Sequence, residues 1–270
     1  RESSGEDFIS DANSHHNLGL AKSMITLKSD YERKQLLGMM ARINYSYDSR
    51  YLLTLTGRRD GASVYGKGNK WEFFPSVAAA WVLSSEPFFQ KWEQSAIEFL
   101  KLRLSYGSNG NIYSTPYKSF TKLTDRDYVW GDDNVLGGGL VAGFTFGNPN
   151  LKWEKTNTLN FGIDFYLLKD SRISGSIDIY NSLTNNLLMT RTVPVMNGYT
   201  SIDDNVGKIQ NKGFELSLNS HNIKTKDFNW NTTLTLSRNW DKIKELQKDK
   251  DGNKLDDISN KWFIGSPVNV

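Results

Sequence analysis

The chain has 270 residues, 38% of them hydrophobic and 13% aromatic, with no cysteine, a formal charge of +3 and a mean hydropathy of -0.54. So balanced a charge argues against nucleic acid as a partner, and the lack of cysteine removes disulfide frameworks and thiolate metal sites. No stretch approaches eighteen apolar residues, which excludes a membrane-crossing helix; strands that cross a bilayer escape this test, because only alternate residues face lipid.

The chain opens in polar sequence, Arg1-Glu2-Ser3-Ser4-Gly5, without an initiating methionine, and reads as a mature or excised piece of a longer protein. Residues 1–32 lack a sustained period and are expected to be loop. Leu37, Met39, Ala41, Ile43, Tyr45 and Tyr47 then alternate with Gly38, Met40, Arg42, Asn44 and Ser46. That is strand periodicity, with one apolar and one polar face. A turn at Asp48-Ser49-Arg50 leads into Tyr51, Leu53 and Leu55, so three tyrosines gather beside it, as aromatic girdles do in membrane barrels.

A third strand is expected over Trp71 to Leu83, with Pro75 near its start, and a helical or irregular link over Ser84 to Ser95. The fourth, about Ile97 to Tyr106, sets Leu100, Leu102, Leu104 and Tyr106 against Lys101, Arg103 and Ser105. Alternate charges are costly inside a two-sided core and natural facing a wet lumen. The clearest signal runs from Asn157 to Leu167 and from Ile173 to Tyr180, two strands of membrane length joined at Lys169-Asp170-Ser171. Strands seven and eight are expected at Gly213 to Asn219 and Phe228 to Arg238.

Short connections at 48–50, 84–95, 169–171 and 220–227 alternate with long ones near 1–32, 58–72, 107–150, 183–212 and 239–270. In an up-and-down meander every second connection shares a rim, so short turns at one end and long loops at the other describe an outer-membrane barrel. The expected fold is therefore all-β, an antiparallel up-and-down transmembrane β-barrel contributing about eight strands. A soluble all-β glycan-binding module is the alternative that the hairpin alone leaves open.

Six strings occur in one order: Tyr51-Leu52-Leu53-Thr54, Arg59-Asp60-Gly61-Ala62-Ser63, Phe74-Pro75-Ser76-Val77-Ala78, Leu100 to Gly107 followed by Gly110-Asn111, Asn148-Pro149-Asn150-Leu151-Lys152-Trp153-Glu154, and Asn211 to Leu216. Together they resemble the barrel of the SusC/RagA family of TonB-linked outer-membrane transporters (TonB-dependent receptors). The resemblance implies that residues 1–270 are part of one 22-stranded barrel domain, with the plug domain and closing strands absent from this stretch. It implies active import of an oligosaccharide or peptide, energised by the TonB complex acting through the plug. It also implies a SusD-like surface lipoprotein partner, location in outer-membrane lipid, no enzymatic activity and no cofactor.

Candidate ligand-binding residues lie where strands leave toward the long loops. Arg58, Arg59 and Asp60 could bind ligand, although an ion pair and turn is the favoured reading of them. Asn109 and Asn111 could hydrogen-bond a sugar or simply build a turn. Tyr128 and Trp130, amid Gly and Asp, could stack on a sugar face. Asp249-Lys250-Asp251-Gly252-Asn253 departs from a calcium loop in the place of its glycine, and His15, His16 and His221 make no metal set. An outer-membrane hydrolase would need a base beside Asp125, Asp127, Asp132 and Asp133, and no histidine neighbours them.

Overall fold

The computed structural model describes residues 2–8, 21–28, 32–90, 96–112, 115–121, 123–129, 136–142, 145–194, 196, 198–248, 251–258 and 260–268. Residues 1–34 and 35–270 form separate compact units. In the first, β1 (Glu2–Phe8) and β2 (Ala21–Lys28) pair as an antiparallel hairpin where loop is expected. The polar β1 has no apolar parity by which to read it.

The second unit is built on β3 (Leu36–Tyr47), β4 (Tyr51–Ala62), β5 (Trp71–Val82) and β6 (Ile97–Asn111). A 3-10 turn at Leu83–Ser85 and a single helical turn at Pro87–Gln90 lie between the last two, matching the helical or irregular link expected there. After β6 come an excursion holding β7 (Leu123–Val129), β8 (Leu136–Ala142) and β9 (Thr145–Phe146), then β10 (Glu154–Leu167), β11 (Ile173–Thr192), β12 (Ser201–Lys224) and β13 (Asn229–Glu245). A small hairpin, β14 (Gln247–Lys248) with β15 (Lys254–Leu255), follows and places Gly252 at φ +85°, as a turn requires. The sheet runs β13-β12-β11-β10-β6-β5-β4-β3, every neighbour antiparallel, with β9 added in parallel to the start of β12. Eight strands in an up-and-down meander are what the alternation predicts.

The boundaries need correcting at one end. The expected loops 58–72, 107–150, 183–212 and 239–270 surrender much of their length to strand: β4 runs to Ala62, β6 to Asn111, β11 to Thr192, and β12 starts at Ser201. The remaining links 63–70 and 193–200 are shorter than 83–96, so the two rims do not differ simply in loop length. They differ because strands of 20 and 24 residues, β11 and β12, overshoot a bilayer that about ten residues would cross. Beyond the lipid neither face must be apolar, and the period-two signal vanishes while pairing continues, as between Asp203 and Thr190. His221, expected in a turn, is paired within β12, its Nδ1 2.6 Å from Asn231 Oδ1.

The outward face carries continuous apolar rows. Tyr51, Trp81, Leu102, Ile163, Ile177, Leu216 and Leu236 stand in one register row, and Tyr45, Leu53, Ala79, Leu104, Phe161, Ile179 and Phe214 in the next. Ile179 is 54% exposed and Leu236 53%. Among the described residues nothing covers this face, which a soluble sandwich would bury under a second sheet. A third row, Leu55, Val77, Tyr106 and Leu159, turns polar at Asn181 and Lys212. The apolar band thus slides along the strands from β4 to β12, as it must when tilted strands cross a level layer of lipid.

At the short-turn rim Asp48 and Ser49 both adopt positive φ and Arg50 N–H bonds Tyr47 C=O, the mirror-image turn that suits strand twist. The buried carboxylate of Glu86 gathers the rim: it accepts from Tyr51 O–H at 2.6 Å, Trp81 Nε1–H at 3.0 Å and Arg50 Nη1 at 3.3 Å. The hydrogen bonds from Tyr51 and Trp81 hold its pKa below the ordinary carboxylate value. A carboxyl lowered by folding contributes stability that is complete above its unfolded pKa and is lost as pH falls through the folded one. Thermal stability should therefore decline as pH drops below about 4.5, and E86Q should flatten that decline. Identical pH profiles for the two proteins would refute the assignment.

Candidate functional site

The inner face is a polar wall whose side chains bond across strands. Thr54 Oγ1 donates to Asn44, Arg42 Nε to Thr56, and Thr156 pairs with Thr184 and Thr158 with Ser182 at 2.8 Å. At its centre Arg103 reaches Asp164 through Nε at 2.9 Å and Nη2 at 2.8 Å, and Asp178 through Nη2 at 2.9 Å. Lys101 adds a looser pairing to Asp164, and Asn160 donates to Asp178. Gly162 lies in register between Arg103 and Asp178, where a Cβ would stand 2.6 Å from both side chains. The glycine leaves the guanidinium room to span three strands. All these charges sit on the wet parity of the sequence, but their pairing depends on register.

At the long-connection end β5 parts from β6. Their ladder stops at Ser76 and Gly107, because Pro75 brings no N–H to the next rung, while β6 stays paired to β10 up to Asn111 and Glu154. A buried cluster, Val64, Tyr65, Phe74, Leu151 and Trp153, packs there. Trp153 lies 4.9 Å from the Tyr65 ring and 5.6 Å from Phe74, and its Nε1–H bonds Lys70 C=O. The Asn148-to-Glu154 string is the keystone. Asn148 Oδ1 accepts from Asn150 N–H and its Nδ2 bonds Asp203 C=O, while Asn205 holds both backbone groups of Lys152.

Beside the keystone lies a cavity of about 290 Å³. Asn111 and Glu154 stand at one side, Leu187, Leu188, Ile209 and Ile243 form its walls, and Trp262 and Val268 close over it. Residues 262–268 return onto β13: Ile243 N–H bonds Ser266 C=O, Gly265 N–H bonds Ile243 C=O, and Asp241 accepts from Val268 N–H. Glu154 is buried, with Oε2 taken by Asn111 Nδ2–H at 3.1 Å and Oε1 by Leu188 N–H at 2.8 Å.

The structure does not bring the seven candidate residues together. Arg58 and Asp60 share the inner face as an ion pair, Nε to Oδ2 2.7 Å, while Arg59 is on the outer face with its guanidinium 5.4 Å from the Trp71 ring centre. Neither Asn109 nor Asn111 belongs to a turn: both lie in β6, pairing with Thr156 and Glu154. Only Asn111 lines the cavity. Tyr128 lies in β7 opposite Gly137, a strand rather than a loop, and Trp130 is outside the described residues. Of the aspartates weighed for a hydrolase, Asp125 and Asp127 are also in β7, while Asp132 and Asp133 are outside the described residues. Among the described residues no group of three His, Asp or Glu could hold a metal ion. Ile209, Ile243 and Trp262 escape sequence reading because they fall in segments that look like loop.

Comparison with known proteins agrees with this architecture. A family model described as TonB dependent receptor-like, beta-barrel matches residues 3–268. The chain is 40% identical over 249 residues to TonB-dependent receptor P26 of Formosa agariphila, covering 91% of this chain and 24% of that protein. It is 34% identical over 244 residues to TonB-dependent receptor SusC of Bacteroides thetaiotaomicron, covering 88% and 24%. A solved structure of the RagAB peptide transporter superposes with a TM-score of 0.79 at 28% identity, over 95% of this chain and 28% of that one. The chain thus spans about a quarter of the length of these relatives. With an uncovered apolar face, a polar inner wall, an eight-strand meander and a family match along nearly its whole length, the chain belongs to the TonB-dependent receptor β-barrel family, among its SusC- and RagA-like members.

Proposed function

We propose that residues 1–270 are part of the wall of a single 22-stranded outer-membrane barrel domain, and that the whole protein imports an oligosaccharide or peptide rather than performing chemistry on it. The observation that supports this most directly is the opposition of two faces on one sheet: apolar rows outward, charge-paired rows inward. Such a sheet separates lipid from water. By likeness to its relatives the protein draws energy from the TonB complex through a plug. It works with a SusD-like surface lipoprotein that meets the overshooting strand ends and their loops.

Two measurements test the reading. In cells, uptake of the nutrient should vanish when the TonB complex is deleted, and the full-length protein should leave the membrane only in detergent, together with a lipoprotein. Recovery as a detergent-free monomer would instead favour a soluble glycan-binding module. At residue level, I177R on the lipid row should cost about 2–4 kcal/mol of barrel stability, whereas S176R, one residue away on the inner face beside Asp164, should cost little. Equal losses would contradict the assignment of faces.

A further inference from the structure

We propose that the 290 Å³ cavity beside the keystone binds an apolar side chain of a peptide ligand, an inference that rests on the import reading and selects between its two ligand classes. Asn111, Glu154, Ile209 and Ile243 all continue the inner-face parity of their strands, so the cavity lies on the inner side of the sheet, beneath Trp262 and Val268. Leu187, Leu188, Ile209 and Ile243 make its walls aliphatic, and its hydrogen-bonding groups, Asn111 and Glu154, stand together at one side. A sugar ring placed there would press most of its hydroxyls against the aliphatic walls, away from Asn111, which is costly, whereas a leucine or phenylalanine side chain loses nothing polar.

The polar groups at its side point the same way. Both oxygens of Glu154 already accept hydrogen bonds, from Asn111 Nδ2–H and Leu188 N–H, so the one carboxylate in the lining is not left without partners beside the aliphatic walls. With its Nδ2 given to Glu154, Asn111 keeps its amide oxygen to accept from a peptide N–H. Asn109, exposed two residues earlier on the same strand face, presents an amide that can both donate and accept. An apolar hole with Asn111 and the hydrogen-bonded Glu154 at one side matches a peptide backbone that carries an apolar side chain.

The test uses the full-length protein with its native lipoprotein partner, purified in detergent, and three probes: the pentapeptide Gly-Asn-Phe-Asn-Gly, its serine counterpart Gly-Asn-Ser-Asn-Gly, and maltoheptaose. By titration calorimetry the phenylalanine peptide should bind about tenfold or more tightly than the serine one. I209W, which fills the cavity, should reduce that preference to below about threefold. L187A, which enlarges it, should shift the preference toward a tryptophan analogue and serves if I209W does not reach the membrane. Equal binding of the two peptides, tighter binding of maltoheptaose than of either, or an unchanged preference in the variants would overturn the proposal. Loss of TonB dependence with the preference intact would sink the import reading instead, and TonB-dependent uptake without the preference would sink only this assignment.

Discussion

W153A should unfold in detergent at markedly lower denaturant than the parent, with a loss of about 3–5 kcal/mol, the range for truncating a large aromatic in a packed site. The residue is 3% exposed, its ring touches Tyr65 and Phe74, and its indole N–H satisfies Lys70 C=O. Removing it opens a void where β5 and β6 have parted, with no ladder there to take up the load. W153F should recover most of the packing and still lack the bond to Lys70, leaving a deficit of about 1 kcal/mol. A parent-like midpoint for W153A would mean that the rim holds together without its keystone.

The second large effect is expected at Gly162. G162V forces a branched side chain into the space between Arg103 and Asp178, so the guanidinium must abandon one carboxylate or the strands must shift. Overpacking and a lost charged hydrogen bond together suggest about 2–4 kcal/mol, held to that range because the ions are partly exposed and screened. A double-mutant cycle identifies the cause: R103A should cost clearly less in the G162V background than in the parent. Additive losses would show that the glycine matters for some reason other than the bridge.

The fold was legible wherever lipid imposes a rule on alternate residues. Asn157 to Leu167 and Ile173 to Tyr180 read as a hairpin because every second side chain must be apolar, and the register pairs Phe161 with Ile179 accordingly. Past Asn181 the rule lapses, and Leu183–Thr192 and Ser201–Lys212 look like loop although they pair along their length, with a break in register around Asn186. The site was less legible for a related reason. Arg58, Arg59 and Asp60 are adjacent in sequence, yet the pleat sends Arg59 to the opposite face. Conversely, Asn111, Ile209 and Trp262 are far apart in the chain and meet only through register and the return of 262–268. Nothing local could announce that cavity.

The sliding apolar band has a consequence for assembly. Because the apolar run reaches the third row on β4, β5, β6 and β10 but stops short of it on β11 and β12, the sheet behaves like a length of screw thread, and its two margins among the described residues, β3 and β13, carry their lipid-facing runs at different places along the ladder. Any strand that joins β13 must start its greasy run lower still, and any that joins β3 must start it higher. A chain with a level belt would fit neither margin, so the pitch already built into these eight strands restricts which neighbours can complete the circle.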